Sequence, residues 1–189
     1  LYLSTEQYDK AIDDFTSATK IDSEFATGYF NLGYASSCKN DYRNALVNYL
    51  KAFELDTENQ LSLETLVVFL KDRNLYETNI EFEIKVYTDR LSSNPKDFDA
   101  LGNRAYIYGR LGVHELKIRD ISEAIELSPE DVWNYNNRAR SYAELEQYPE
   151  AIEDYNAAIY YGVENADVYN SRGIAYLKLD RYEEALSDY

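Results

Sequence analysis

Apolar positions recur along this chain with the spacing of amphipathic helices, and the whole pattern returns after a fixed interval. The segment QYDKAIDDFTSATKID at 7–22 and the segment QYPEAIEDYNAAIYYG at 147–162 place Tyr, Ala, an acidic pair and an aromatic residue at the same offsets. An apolar stripe at helical spacing predicts a helix with one buried face. Two copies of one phrase in a single chain predict a repeat protein.

Small side chains define the length of the repeat. Ala11 and Ala45 lie 34 residues apart, as do Ala151 and Ala185. The 106 residues from Ala45 to Ala151 equal three intervals of 34 and four additional residues, which we place near 60–63. A small residue lets two helix axes approach to about 8–10 Å, and bulky residues fill the space beside it. The bulky position is occupied by Phe15, Tyr49, Tyr87, Ile121, Tyr155 and Tyr189.

Residues that break regular structure are few, since the chain has only three Pro and seven Gly. This composition favours helices over a turn-rich β architecture. Each interval is predicted to form two helices joined by a short polar turn, such as KND at 39–41 or KLD at 178–180. The second helix is predicted to end near a breaker such as Pro129.

The segments LGYAS…DYRNALVNYLKAFELD, NRARSY…QYPEAIEDYNAAI and SRGIAY…RYEEALSDY resemble tetratricopeptide repeats, and the resemblance extends over essentially the whole chain. It implies an all-α, right-handed superhelical solenoid of antiparallel helix pairs. We predict one array over 1–189. Its parts are a partial repeat at 1–25, a repeat at 26–59, an insertion at 60–63, a degenerate repeat at 64–97, repeats at 98–131 and 132–165, and a partial repeat at 166–189.

Both ends of the chain interrupt a repeat in this division. Leu1 falls within a first helix and Tyr189 within a second, and the sequence does not begin with Met. Repeats bury their apolar faces against their neighbours, so arrays carry polar capping units at their ends. We therefore interpret the chain as part of a longer protein, and we expect interrupted ends to favour self-association.

The segment 64–97 departs most from the other repeats. Its three small positions carry the long charged residues Lys71, Glu83 and Arg90, and Lys117 continues this irregularity in the next repeat. One interpretation is a locally loosened superhelix whose long side chains reach water. The other is a dedicated partner site.

Two further positions vary together. Repeats with Arg in the first helix carry Asp in the second, whereas repeats with Leu32 or Leu70 carry Asn48 or Val86 there. A guanidinium placed against a packed neighbour needs a carboxylate to offset its desolvation. We predict one ion pair between helices in each Arg repeat, namely Arg104 with Asp120, Arg138 with Asp154, and Arg172 with Asp188.

The family resemblance implies that first helices line a concave groove that takes an extended peptide or a partner helix. One position of this groove holds Asn31, Asn103 and Asn137, similar to the asparagine ladder of O-linked N-acetylglucosamine transferases, although Phe69 and Ser171 interrupt it. Asn can donate to and accept from a peptide backbone. Alternatively, these Asn satisfy local backbone groups or face water. The other candidates are Tyr34, Tyr106, Arg110, Asn136, Arg140, Asn170 and Lys178.

Trp133 is the single tryptophan and begins a first helix. We predict that Tyr135 fills the buried aromatic slot, as Tyr29 and Tyr169 do, which leaves Trp133 partly exposed beside the groove. Exposed Trp often anchors a protein partner. Packing against the preceding repeat is the alternative.

Several classes of function are disfavoured. A net charge of −16 argues against a nucleic-acid partner, and no apolar run is long enough for insertion into a membrane. Cys38 is the single cysteine, so no intrachain disulfide forms, which favours a reducing, cytoplasmic compartment. His114, the single histidine, is expected in an inter-helix turn and cannot build a multi-His metal site.

No phosphate-binding loop appears, and the many carboxylates follow the spacing of a solvated helix face. Co-chaperones of the resembled family hold a terminal carboxylate with Lys, Asn and Arg, and no frame of this chain supplies those cations. We predict no cofactor and no enzyme activity. The predicted function is a scaffold that binds a protein or peptide, and the alternative is a substrate-recruiting or regulatory arm of a larger enzyme.

Overall fold

The computed structural model describes residues 5–56, 65–66, 68–69, 80–163 and 165–189. These residues form ten helices of seven or more residues and no strand, and 65–66 and 68–69 are also helical. The helices are α1 (Thr5–Ile21), α2 (Ala26–Cys38), α3 (Tyr42–Leu55), α4 (Ile80–Ser93), α5 (Phe98–Arg110), α6 (His114–Leu127), α7 (Val132–Glu144), α8 (Tyr148–Tyr160), α9 (Ala166–Lys178) and α10 (Tyr182–Asp188).

The chain divides into two compact units, one ending at Ser92 and the other running from Ser93 to Tyr189. In the first unit, α1 packs against α2 and α2 packs against α3. In the second unit, each helix from α5 to α10 packs against the next helix in sequence. Packing of sequence neighbours is the arrangement of a helical-repeat solenoid, so the predicted all-α class is confirmed.

In four hairpins of the described residues, the turn places one residue in the left-handed region. Asn40, Gly112, Glu146 and Asp180 have φ values of 61°, 70°, 59° and 58° and occupy the same position of their repeats. A left-handed residue after a helix lets the chain reverse while its amide bonds back to the helix. Asn, Asp and Gly adopt this conformation readily and Glu does so at some cost. The predicted turn at 39–41 therefore lies where expected.

The small positions form the contacts between helices, as predicted. Ala45 and Ala52 in the first unit and Ala151 and Ala158 in the second are fully buried. At Gly33 a Cβ atom would lie 2.8 Å from Cδ1 of Tyr49, so the bulky residue of α3 rests directly on the glycine of α2. The predicted alternation of small and large residues thus sets the distance between the helices.

Three ion pairs join first and second helices, which confirms the prediction from the paired positions. Arg104 Nε donates to Asp120 Oδ2 at 2.7 Å, and Arg138 Nε donates to Asp154 Oδ2 at 2.7 Å. In each pair an Nη2 group binds the second carboxylate oxygen, so the contact is bidentate. The third pair, between Arg172 and Asp188, has the same form.

The sequence did not reveal a further bond from two of these arginines to the preceding helix. Arg138 Nη1 donates to Ser122 Oγ of α6 at 2.9 Å. Arg172 Nη1 donates to Asn156 Oδ1 of α8 at 2.6 Å. Each acceptor lies 16 residues before its arginine, and each paired Asp lies 16 residues after it. Arg138 and Arg172 therefore each link three consecutive helices.

Part of the degenerate segment can be compared with its prediction. Glu83 and Arg90 are exposed, in agreement with the interpretation that long side chains at small positions reach water. Lys71, Leu70 and the proposed insertion at 60–63 lie outside the described residues. In the described ranges, no helix combines the length and apolar character needed to cross a bilayer, and no cluster of potential metal ligands occurs.

Candidate functional site

Most residues predicted to face the groove lie on the first helices α5, α7 and α9 of the second unit, whereas Asn31 and Tyr34 lie on α2 of the first unit. Most of their side chains reach solvent, and Tyr106 is 66% exposed. The exposed members are Asn103, Tyr106, Arg110, Arg140, Asn170 and Lys178, and the half-buried members are Asn136 and Asn137.

A cavity of about 380 Å³ lies between α5, α6 and α7. It brings together Tyr106 and Arg110 from α5 with Asn137 and Arg140 from α7, all four of which were predicted from the sequence. Asn103, Trp133 and Asn136 belong to the same helices but do not line this cavity, and Asn170 and Lys178 lie on α9. The other lining residues are Gly102, Ala105, Gly109, His114, Lys117, Ile121, Asn134, Ser141 and Glu144.

Lys117 lines the cavity, although it is not among the residues predicted to face the groove. It comes from the second helix α6, at the position held by Ala45, Ala151 and Ala185 in other repeats. Gly109 makes room for it, because a Cβ atom there would lie 3.1 Å from Cδ of Lys117. In the sequence, Lys117 is a long charged residue at a position where other repeats have Ala. Whether such a residue fits between the helices depends on Gly109, which faces it.

The environment of Lys117 disfavours its charge. Partial burial lowers the pKa of Lys117, and the nearby guanidinium of Arg140 lowers it further. Glu144 acts in the opposite direction and raises this pKa. Lys117 and Arg140 therefore act on each other as like charges within the cavity, and Glu144 offsets the effect on Lys117 only in part.

This environment makes the stability of the protein depend on pH. Replacing Lys117 by Met removes the charge at similar length, so we expect the variant to be more stable than wild type at about pH 7. Between the lowered pKa and the ordinary value of about 10.4, the unfolded chain binds the proton more tightly than the folded chain. Wild type therefore gains stability as pH rises through that range.

The difference in urea midpoint between wild type and the Lys117→Met variant measures this effect. We expect the difference to shrink as pH rises from about 7 to about 10. A difference that stays constant over that range would show that burial of Lys117 does not disfavour its charge.

The asparagines of the predicted ladder differ in their bonding. Asn103 Nδ2 donates to the carbonyl of Asp99 at 2.7 Å, so its amide group satisfies its own helix, as the alternative interpretation expected. Asn137 lines the cavity and Asn31 is half-buried in α2. The Nδ2 group of Asn134, which also lines the cavity, is buried and has no hydrogen-bond partner in the described part of the chain.

The aromatic residues of this region have separate roles. Trp133 is 61% exposed, as predicted. Tyr135 packs against the core of the second unit, as the predicted aromatic slot requires, but it is half-buried, as Tyr29 and Tyr169 are. The ring of Tyr135 stacks on the ring of Tyr161, with centroids 5.5 Å apart. Part of the Tyr135 ring stays at the surface.

The remaining predicted residue, Tyr34, belongs to the first unit. Its side chain is 55% exposed, and the neighbouring Cys38 raises the pKa of Tyr34 through charge interaction and a side-chain hydrogen bond. The prediction that His114 lies in the inter-helix turn was wrong, because His114 is the first residue of α6 and follows the turn. Apolar side chains of α9 and α10, among them Ile174 and Leu186, are exposed. Self-association through the repeat ends stays a prediction.

Models of known families match stretches in both units of the chain. Models for the tetratricopeptide repeat match residues 1–25, 26–59 and 121–153, and a further TPR repeat model matches 139–180. These ranges include helix pairs from both units. The chain is a tetratricopeptide repeat protein.

Solved structures with this tetratricopeptide fold resemble the chain over most of its length. The crystal structure of MamA protein is 22% identical, with a TM-score of 0.54 and coverage of 88% of each chain. The crystal structure of YrrB, a TPR protein with an unusual peptide-binding site, is also 22% identical, with a TM-score of 0.53, and the match covers 92% of this chain and 88% of YrrB. At this level of identity the likeness concerns the fold.

A curated relative shares sequence with this tetratricopeptide chain over a shorter stretch. Small glutamine-rich tetratricopeptide repeat-containing protein 2 of Mycosarcoma maydis is 40% identical over 55 residues. The match covers 29% of this chain and 16% of that protein, so the chain spans about a sixth of the relative's length.

Proposed function

We propose that the first helices of the second unit bind an extended peptide or a helix of a partner protein, and that the chain acts as a non-catalytic scaffold. The observation that carries the proposal is the cavity between α5, α6 and α7, which gathers four residues predicted independently from the sequence. Concave sites with a few convergent polar groups are the usual places of ligand binding.

The composition of the surface beside the cavity supports a peptide ligand. The guanidinium carbon of Arg110 lies 5.7 Å from the centroid of the Tyr106 ring. This side of the cavity therefore presents a flat aromatic ring with guanidinium N–H donors beside it. Exposed Tyr, Trp and Arg are the residues that most often dominate binding energy at interfaces. The peptide-binding site named for YrrB shows that this fold can host such a site.

Selection of peptides from a random displayed library on the immobilised chain tests this proposal. Selected peptides are synthesised and their affinity is measured by fluorescence anisotropy. We expect the combined variant Asn103→Ala, Asn137→Ala, Arg140→Ala to bind at least about tenfold more weakly, because it removes the guanidinium of Arg140 and the amide of Asn137 from the cavity.

A matched variant on the second helices provides the control. Glu126, Glu150 and Glu153 are exposed on α6 and α8 and do not line the cavity. Their replacement by Ala is expected to leave the affinity within about twofold, as for substitutions away from an interface. Equal binding by wild type and the Asn103, Asn137, Arg140 variant would place the site elsewhere.

A further inference from the structure

The amine of Lys117 differs in its contacts from the amines of two other lysines. Among the residues that the structure describes, no salt bridge or hydrogen bond holds the Nζ atom of Lys117. Lys39, by contrast, bonds Asp9, and the Nζ atom of Lys85 lies 3.5 Å from a carboxylate oxygen of Asp89. The Lys117 amine therefore lines the cavity between α5, α6 and α7 without a protein group in contact that fixes its proton.

The side chain of Lys117 lies along Gly109 of the facing helix α5. A Cβ atom on Gly109 would lie 3.1 Å from Cδ, 3.4 Å from Nζ and 3.5 Å from Cε of Lys117. The glycine therefore leaves the space that the end of the lysine occupies. Ala105 and Ile121 add apolar surface to the same cavity. An amine in such surroundings loses part of its hydration.

The titratable and charged groups that line the cavity with Lys117 come from three helices. They are Tyr106 and Arg110 on α5, His114 on α6, and Arg140 and Glu144 on α7. Partial burial is the largest cause that lowers the pKa of Lys117, the guanidinium of Arg140 lowers it further, and Glu144 raises it. The unprotonated amine, which is the nucleophilic form, is therefore more abundant near neutral pH than it is in an exposed lysine.

Other repeats fill the position of Lys117 with alanine. Ala45, Ala151 and Ala185 occupy it and are fully buried between their helices. A half-buried lysine has a desolvation cost that Ala does not have. Lysines that are desolvated, or that lie beside a second cation, are activated as nucleophiles. Lys117 meets both conditions, so its environment indicates covalent chemistry at the amine.

The other cations of the cavity narrow the class of reagent. Arg110 and Arg140 line it together with Lys117, although the chain has a net charge of −16. A concave surface with positive charge concentrates anions, and guanidinium groups match the geometry of phosphate. The volume of about 380 Å³ admits a small molecule. An acyl phosphate combines a phosphate for the arginines with an activated carbonyl group for the amine.

We propose that Lys117 is a site of acylation by small acyl phosphates. The unprotonated Nζ atom attacks the carbonyl carbon and forms an amide bond. The bond from that carbon to the phosphate oxygen breaks, the phosphate leaves with the electron pair, and the proton lost by the amine completes hydrogen phosphate. The amide is neutral, so the reaction ends the repulsion between Lys117 and Arg140. The proposal does not rest on the proposed function, because no partner protein takes part.

Acetyl phosphate is the probe that tests this proposal. The folded chain is incubated with it near neutral pH, and peptide mass spectrometry follows the acetylated fraction of each lysine with time. We expect the initial rate at Lys117 to exceed the rates at the exposed Lys20 and Lys96 about tenfold. In guanidinium chloride, where the chain is unfolded, the three rates should become similar. Inorganic phosphate should slow the reaction at Lys117 alone, because it competes for the arginines.

Two substitutions on α7 have opposite expected effects. Arg140→Leu removes a cation that lowers the pKa of Lys117 and that lines the cavity, so acetylation of Lys117 should slow severalfold. Glu144→Gln removes the carboxylate that raises this pKa, so acetylation should become faster. Both side chains are exposed, so both variants are expected to fold, which circular dichroism verifies. The rate at Lys96 should not change in either variant and serves as the internal control.

Three results would each overturn the proposal. The first is a rate at Lys117 no higher than the rate at Lys96. The second is a rate at Lys117 that sodium chloride slows as much as inorganic phosphate does at equal ionic strength. The third is a rate at Lys117 that is the same in wild type and in Arg140→Leu. None of these results bears on peptide binding, which is measured separately.

Discussion

Replacing Asp154 by Ala is expected to lower the free energy of unfolding by about 3 kcal/mol, in the range for a buried ion pair that loses one partner. The side chains of Asp154 and Arg138 are only 7% and 18% exposed, so the guanidinium would stay desolvated without its carboxylate. The Asp154 hydrogen bond is also the main reason that the pKa of Arg138 is raised. Urea denaturation followed by circular dichroism measures the loss.

Two controls separate this effect from an ordinary substitution. Glu184→Ala breaks the pair between Arg181 and Glu184, whose side chains are 47% and 44% exposed, and should cost much less because exposed pairs contribute little. The double variant Arg138→Leu, Asp154→Asn copies the natural combination of Leu32 and Asn48 and should recover most of the stability. A double variant as unstable as Asp154→Ala would contradict the ion-pair explanation.

Replacing Tyr155 by Ala is expected to cost about 3–5 kcal/mol, as for other aromatic residues deleted from a core. Tyr155 is 1% exposed and packs with Ala139, Ala151 and Ala158 in the core of the second unit. Small neighbours of this kind cannot move inward to fill the space left by the ring. The loss should appear as a lower urea midpoint.

The Tyr155→Phe variant separates the contribution of the hydroxyl group to stability from that of the aromatic ring. Burial raises the pKa of Tyr155, and Ser171 acts on this pKa in the opposite direction. Removing the hydroxyl alone should cost at most about 1 kcal/mol, which is the usual net contribution of one hydrogen bond. A Phe variant as unstable as the Ala variant would show that the hydroxyl group, and not the packing of the ring, stabilises the core at this position.

The repeat period and the ion pairs were predictable because each depends on a regular spacing. Small and large residues at fixed positions determine how closely two helices pack, and Arg and Asp that occur together identify a contact. Both signals lie in sequence positions that recur every 34 residues. One chain therefore supplied its own internal alignment.

The cavity was only partly predictable, because it depends on three helices at once. Tyr106, Arg110, Asn137 and Arg140 were found from their positions on first helices. The sequence showed Lys117 as a departure from the small residues of other repeats. Its place in the cavity depends on the space left by Gly109, and the repeat spacing does not show which residue faces Lys117. The half-burial of Tyr135 likewise depends on Tyr161, which follows α8 and stacks on its ring.

The arginines that link three helices have a consequence for how the array melts. The folding free energy of a repeat array is a sum of one term for each repeat and one for each junction. Arg138 binds Ser122 across a junction and Asp154 within its own repeat, and Arg172 does the same with Asn156 and Asp188. Opening one hairpin therefore removes hydrogen bonds from its neighbour, which strengthens cooperativity along the second unit and opposes fraying of single repeats.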